Sequence, residues 1–333
     1  MILVTGGTGL VGAHLLYKLT AEHKKVRAIY RTKRKIENTK SVFSSYNKNY
    51  EALFNTIEWV EADLLDIPAL TEAFTNINKV YHCAAFVSFE PNKYQALRQS
   101  NIIGTANIVN LCLSNKTEKL CYVSSIATIG NTLNNKPITE NTNWNPEEDN
   151  SVYAITKYGA EMEVWRGTQE GLNAVIVNPG VILGAGIWHY GTGNFFKKAS
   201  KGFKYYTSGT VGIVSVIDVV SIMTKLMDSE IKNERFILVA ENWTYKDFLN
   251  LLATAVNGKK PKKQASTKLL SMAWRLDWLK HKITGKRRLL TKHLVKSLTT
   301  KTYYSSDKII TALNYKFEAV NNTIISIGKH YLK

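Results

Sequence analysis

The chain has 333 residues, 44% hydrophobic and 11% aromatic, and carries a formal net charge of +18. That length is about twice a typical domain, so one large or two closely packed domains are expected, with the composition of an ordinary globular protein. No apolar run approaches the roughly 20 residues of a membrane helix, and the chain opens directly on a strand-like MILVTGG, so neither spanning nor export is predicted.

Cys83, Cys112 and Cys121 are too few and too scattered for a disulfide framework or a metal site, which predicts buried, reduced thiols, a cytoplasmic location and no metal. Runs rich in apolar and β-branched residues at 2–5, 25–30, 57–61, 79–83 and 119–124 alternate with helical patterns. A sixth run, 172–177, follows a helix expected to begin near Tyr153. This order predicts an α/β fold, a Rossmann-type doubly wound parallel sheet with right-handed crossovers. Residues 1–180 read as a dinucleotide-binding domain, and 181–333 as a smaller, partly interleaved C-terminal cap that binds substrate.

The first strand runs into VTGGTGLVGAHLL, residues 4–16. Gly6 suits the tight turn, Gly9 a close backbone approach to a diphosphate, and Gly12 the packing of helix on strand; Thr8, Leu10 and Val11 complete the loop. At the end of the second strand, where an NAD site places an acid for the ribose, stand Tyr30 and Arg31. A guanidinium holds a 2′-phosphate that a carboxylate would repel, so NADP(H) is preferred over NAD(H), with Arg34 and Lys33 as further candidates. Asp63 follows the third strand, where it either meets the adenine or caps the next helix. Ala84 and Ala85 end the fourth with side chains small enough to lie against a cofactor.

Beyond Pro179 come the aromatic, glycine-rich segment 184–196, a strand-like TVGIVSVIDVV and another at ERFILVA. Between Asn257 and Lys301 there are 14 Lys and Arg against one acid, Asp277. Within that block, 267–279 has Leu269, Met272, Leu276 and Leu279 at helical spacing. A basic amphipathic segment of this kind suits peripheral contact with an anionic membrane, or an anionic substrate. Nucleic acid is disfavoured, because no reading motif accompanies the charge.

A tyrosine followed four residues later by a lysine occurs at Tyr153/Lys157 and again at Tyr304/Lys308, so the spacing alone decides nothing. Context does. The glycine loop, Asp63 with Leu64, HCAA at 82–85, NIIGTAN at 101–107, YVSSIATIG at 122–130, Tyr153 with Lys157 and NPGVILG at 178–184 occur in one order along the chain. In that order and spacing the sequence resembles the extended branch of the short-chain dehydrogenase/reductase superfamily, most closely its dihydroflavonol-reductase-like members. The resemblance implies a catalytic set of Ser125, Tyr153 and Lys157, with Asn101 in support and with Leu64, Pro179 and Gly180 beside the cofactor. It further implies a homodimer built on helices near 100–113 and 153–170. The implied reaction is reduction of a ketone or aldehyde, or oxidation of the alcohol, on a small-molecule substrate with Tyr153 as general acid/base. A nucleotide-sugar epimerase or dehydratase with tightly held NAD, and a non-catalytic cofactor sensor, are the alternatives. Phe86, Ser88, Ser125, His189 and Tyr190, with Trp188, are the substrate candidates.

Overall fold

A computed structural model describes residues 1–132, 136–285, 288 and 290–333. The chain begins β1 (Ile2–Thr5), α1 (Leu10–Ala21), β2 (Val26–Tyr30), α2 (Ile36–Tyr46), α3 (Glu51–Phe54) and β3 (Glu58–Glu61). It continues α4 (Ile67–Ala73), β4 (Lys79–His82), α5 (Tyr94–Leu97), α6 (Gly104–Ser114), β5 (Lys119–Val123), α7 (Val152–Gln169) and β6 (Ala174–Pro179). Next come β7 (Val181–Leu183), α8 (Gly193–Ser200), β8 (Tyr205–Tyr206), β9 (Thr210–Ser215), α9 (Val216–Asp228), β10 (Glu234–Leu238) and β11 (Glu241–Thr244). The chain closes with α10 (Tyr245–Ala255), β12 (Lys263–Gln264), α11 (Thr267–Thr284), α12 (Lys292–Thr299), α13 (Asp307–Leu313) and α14 (Val320–Leu332).

Seven strands form one sheet in the order β10-β6-β5-β4-β1-β2-β3, and every pairing in it is parallel. Alternation along each strand sends side chains to two cores. Val4, Tyr81, Cys121 and Val175 face the layer of α1 and α9, whereas Leu3, Val80, Tyr122 and Ile176 face that of α6 and α7. Strand order reverses between β1 and β4, so a crevice opens at the carboxyl ends of those strands, where doubly wound sheets bind ligands.

The chain after Pro179 divides its residues between two places. β10, from ERFILVA, is an edge strand of the main sheet and α9 packs on that sheet, while β7, β9 and β11 form a separate three-stranded sheet with α8, α10 and α14 around their own core. The strand-like 210–220 is half strand and half helix. Ser215 accepts a hydrogen bond from Ile217 N and so caps α9, and Asp218 lies in that helix's first turn, a Ser-x-x-Asp start signal that outweighs the β-branched run.

The thiols behave as expected of core residues: Cys112 and Cys121 are buried, and burial pushes Cys83 and Cys112 up to about 12. Among the described residues no helix is long and apolar enough to cross a membrane, and no cluster of potential metal ligands occurs. Tyr304 and Lys308 are structural. Tyr304 packs beside Ile138 and Val239, and Lys308 pairs with Glu234.

Candidate active site

The glycine loop is shaped by close approaches of backbone. Gly6 adopts φ +70°, and a Cβ there would lie 2.6 Å from Ala84 N, so the ends of β1 and β4 nearly touch. Ala84 N donates to Thr5 Oγ1 at 3.3 Å, which fixes that contact. A Cβ on Gly12 would stand 2.2 Å from Gly6 O, so α1 could not seat with any larger residue. Gly9 is the N-cap of α1 and supplies no side-chain cap, and the first turn carries no acid. Leu10, Val11 and Gly12 therefore present the amides that a helix leaves without internal partners, a fit for a diphosphate.

Thr8 supplies its carbonyl to a second layer. Asn38 Nδ2 donates to Tyr190 Oη at 2.9 Å, and Tyr190 Oη lies 3.4 Å from Thr8 O. Tyr190, expected as a substrate residue, is thus tied to the glycine loop. His189 beside it is exposed, and Trp188 packs edge-on against Phe196 and Tyr331 in the core of the smaller sheet.

At the end of β2, Arg31 is largely exposed and lies 3.5 Å from Asp63 Oδ2. Thr32 to Lys35 are exposed too, so Arg31, Lys33, Arg34 and Lys35 form one basic rim. Asp63 does not cap the following helix: Asp66 does, accepting from Ala69 N at 3.1 Å. Asp63 Oδ1 instead accepts from Leu65 N at 3.0 Å. The NIIGTAN stretch explains Leu64, because Gly104 leaves room for its side chain and Asn107 Nδ2 holds its carbonyl at 2.8 Å. Pro179 ends β6 opposite Leu238, and Gly180 must lack a Cβ because Gly212 O would be 2.4 Å away.

Ser125 follows β5, and Tyr153 and Lys157 lie one turn apart on α7, whose N-cap Ser151 accepts from Ala154 N. Burial raises the Tyr153 phenol, and the Ser125 hydroxyl opposes that larger effect. Lys157 is almost fully buried, and its Nζ donates to Tyr122 Oη at 2.7 Å and to Val123 O at 2.9 Å. Desolvation lowers it to about 7, against the opposing fields of Glu161 and Cys83. Burial therefore outweighs the effect of Ser125 on Tyr153, and Lys157 directs its donors at Tyr122 and Val123.

No role was assigned from sequence to Tyr122 and the groups behind it. His82 Nδ1 lies 2.6 Å from Thr5 Oγ1 and its Nε2 3.0 Å from Thr105 Oγ1, while its ring stacks on that of Tyr122 at 5.4 Å. Buried polar contacts thus run from Thr5 through His82 to Thr105, and the ring stacked on His82, Tyr122, is the one that holds Lys157. The His82 imidazole is kept neutral, lowered to about 3 by burial and then by the charge of Lys157. Thr5, His82, Thr105 and Tyr122 all lie in the motifs that carry the family resemblance, but nothing in those stretches shows that they meet.

Glu161, a further turn along α7, is fully buried and accepts from Ser124 Oγ at 2.6 Å, Thr128 Oγ1 at 2.7 Å, Asn178 Nδ2 at 2.9 Å and Arg235 Nη1 at 3.1 Å. Ser124 is therefore turned to this carboxylate, and Asn178 also donates to Ser125 O at 3.2 Å. Asn101 sits in a π-helical turn and clamps the loop after β4, accepting from Phe86 N at 2.7 Å and donating to Phe86 O at 3.0 Å and Thr156 Oγ1 at 3.3 Å. Those bonds give it a positioning part. In that loop Ser88 is buried, accepting from Glu90 N, whereas Ala85, Phe86, Val87 and Phe89 are exposed. Phe89, not singled out from the sequence, lies edge-on to Tyr153 at 5.3 Å.

A seven-stranded parallel sheet, a glycine loop at its switch point and a Ser-Tyr-Lys set beside it define an NAD(P)-dependent enzyme of the extended short-chain dehydrogenase/reductase type. A profile of the NAD dependent epimerase/dehydratase family matches residues 2–237, and the chain belongs to that family. It is 26% identical over 330 residues to a putative dihydroflavonol 4-reductase of Synechocystis sp., covering 96% of this chain and 91% of that protein. It is also 27% identical over 266 residues to sterol demethylase protein B of Methylococcus capsulatus, with 78% and 76% covered. The crystal structure of gox2253 shares the fold with a TM-score of 0.81 at 23% identity, covering 99% of this chain and 97% of that one.

Proposed function

We propose that the protein is an NADP(H)-dependent oxidoreductase that reduces a ketone or aldehyde, or oxidises the corresponding alcohol, with Tyr153 as general acid/base. The observation that carries this reading is the placing of Tyr153 one helical turn from Lys157, with Ser125 acting on its phenol and the exposed Phe89 edge-on to its ring at 5.3 Å. A bound reduced nicotinamide supplies the hydride. Tyr153 gives its proton to the carbonyl oxygen, and Ser125 donates a hydrogen bond to the same oxygen as charge develops there. Lys157, whose Nζ donates to Tyr122 and Val123, would hold the nicotinamide ribose. The α1 amides would hold the diphosphate, and Arg31 with Arg34 the 2′-phosphate.

Two observations favour a reductase over a nucleotide-sugar enzyme. No arginine occurs between Lys204 and Val220, the segment in which the resemblance leads one to expect a grip on a substrate diphosphate. The loop facing Tyr153 offers aromatic rings instead of charge, which suits an apolar or ring-bearing substrate. The test is to identify by mass spectrometry any dinucleotide the purified protein releases on denaturation, then to screen aldehydes and ketones for NADPH consumption. Exchangeable NADPH and net oxidation support the reading. Stoichiometric, non-exchanging NAD with no net turnover would replace it with a self-recycling epimerase or dehydratase.

A further inference from the structure

Helix α11 shows an inverted arrangement. Leu270, Trp274 and Asp277 turn inward, where Leu270 and Trp274 pack with Val295 of α12 and with Leu290. At about 100° per residue, Met272, Leu276, Leu279 and Ile283 fall within about 60° of one another on the far side. They are 56%, 59%, 46% and 75% exposed, so the face pointing away from the protein is its apolar one. Single exposed apolar residues need no explanation, but four aligned along a helix that presents them outward do.

Charge frames that stripe. Lys280 lies on one side of it and Lys268, Arg275 and Lys282 on the other, all exposed. Trp278, 46% exposed, carries Lys282 over its ring at 5.5 Å. The single acid of the basic block, Asp277, is turned from the stripe: Leu290 N donates to it at 3.1 Å, and the Arg288 guanidinium lies 3.9 Å away. Lys286, Arg287 and Leu289 lie outside the described residues.

We infer that α11 is a peripheral docking helix for an anionic phospholipid surface. An aliphatic stripe between rows of lysine and arginine is the pattern that lies in a membrane interface. A second copy of this basic chain would bring like charges together around the same stripe, whereas an anionic leaflet is complementary to them. The helix also sits near the catalytic apparatus in contact terms. It packs on α12, whose Lys292 and His293 reach Asp149 at 3.2 Å and 3.7 Å, two residues before the cap of the helix that carries Tyr153.

The inference stands apart from the carbonyl chemistry and is tested without a substrate. The full-length protein is sedimented with vesicles of phosphatidylcholine alone and of phosphatidylcholine with phosphatidylglycerol, at about 0.1 M salt. Binding should favour the anionic vesicles by at least about tenfold. It should be lost in a Leu276→Glu/Leu279→Glu variant and fall about thirtyfold in a Lys280→Gln/Lys282→Gln variant, from about 1 kcal/mol per cation near such a surface. Thermal melts unchanged from the wild type establish that both variants are folded. Absence of binding to the anionic vesicles overturns the inference, as does binding that both variants retain. A concentration-dependent dimer that Leu276→Glu/Leu279→Glu abolishes, without vesicle binding, would give the face to a second copy instead.

Discussion

The carboxyl end of β5 and the outer face of α11 treat polarity in opposite ways. Around β5, charged and hydroxyl groups are buried and paired: Lys157 with Tyr122, and Glu161 with Ser124, Thr128, Asn178 and Arg235. On α11, aliphatic side chains are exposed and the charges beside them are solvated. A buried group must find its partners inside the protein, so members of the first region depend on one another. Residues of the second face solvent, so each can change without unpairing a buried group. Disturbance should therefore spread in one region and stay local in the other.

The largest effect is expected at Tyr153. Tyr153→Phe should lower turnover with an identified substrate by about 10²–10⁴-fold while dinucleotide binding persists, since only the transferable proton is removed. Near-normal turnover would sink the mechanism. Next comes Arg235→Met, which leaves Glu161 buried without its cation and should destabilise the fold by about 3–5 kcal/mol in urea unfolding. A loss under about 1 kcal/mol would show that the network around Ser125 is not coupled.

Lys157 gives the comparison a pH dependence. Its folded value of about 7 lies below the ordinary 10.5, so between the two the unfolded chain holds a proton that the folded chain releases. Stability should rise with pH across that window and be independent of this group below it. Wild-type protein should gain up to about 2 kcal/mol over Lys157→Met between pH 7 and 8.5, at about 1.4 kcal/mol per unit. Parallel unfolding profiles would refute the assignment.

Smaller effects test the rims. Arg31→Ala should weaken NADPH about tenfold and leave NADH unchanged, as befits one charge-assisted contact, and equal weakening of both would remove the 2′-phosphate role. Leu276→Ser on α11 should change stability by no more than about 0.5 kcal/mol. A larger loss in thermal melts would mean that the apolar stripe supports the fold itself.

The six strands of the first half and the glycine loop were legible because each is written locally: alternating apolar runs, and glycines at contacts where a Cβ would collide. Position 218 shows the limit. The same β-branched residues suit a strand or a buried helix, and only the Ser215 cap decides. Ser125, Tyr153 and Lys157 were found through context, since the Tyr–Lys spacing also occurs at 304 and 308, where it is structural.

Local sequence determined which segments could be strand, turn or helix, because propensity and glycine sterics act over a few residues. It also determined that α11 would be basic and amphipathic. Tertiary structure alone decided that β10 joins the main sheet, that Lys157 meets Tyr122 across 35 positions and Glu161 meets Arg235 across 74, and that the apolar stripe of α11 faces outward. Burial and pairing are properties of neighbours brought together by the fold, and no short stretch of chain encodes them.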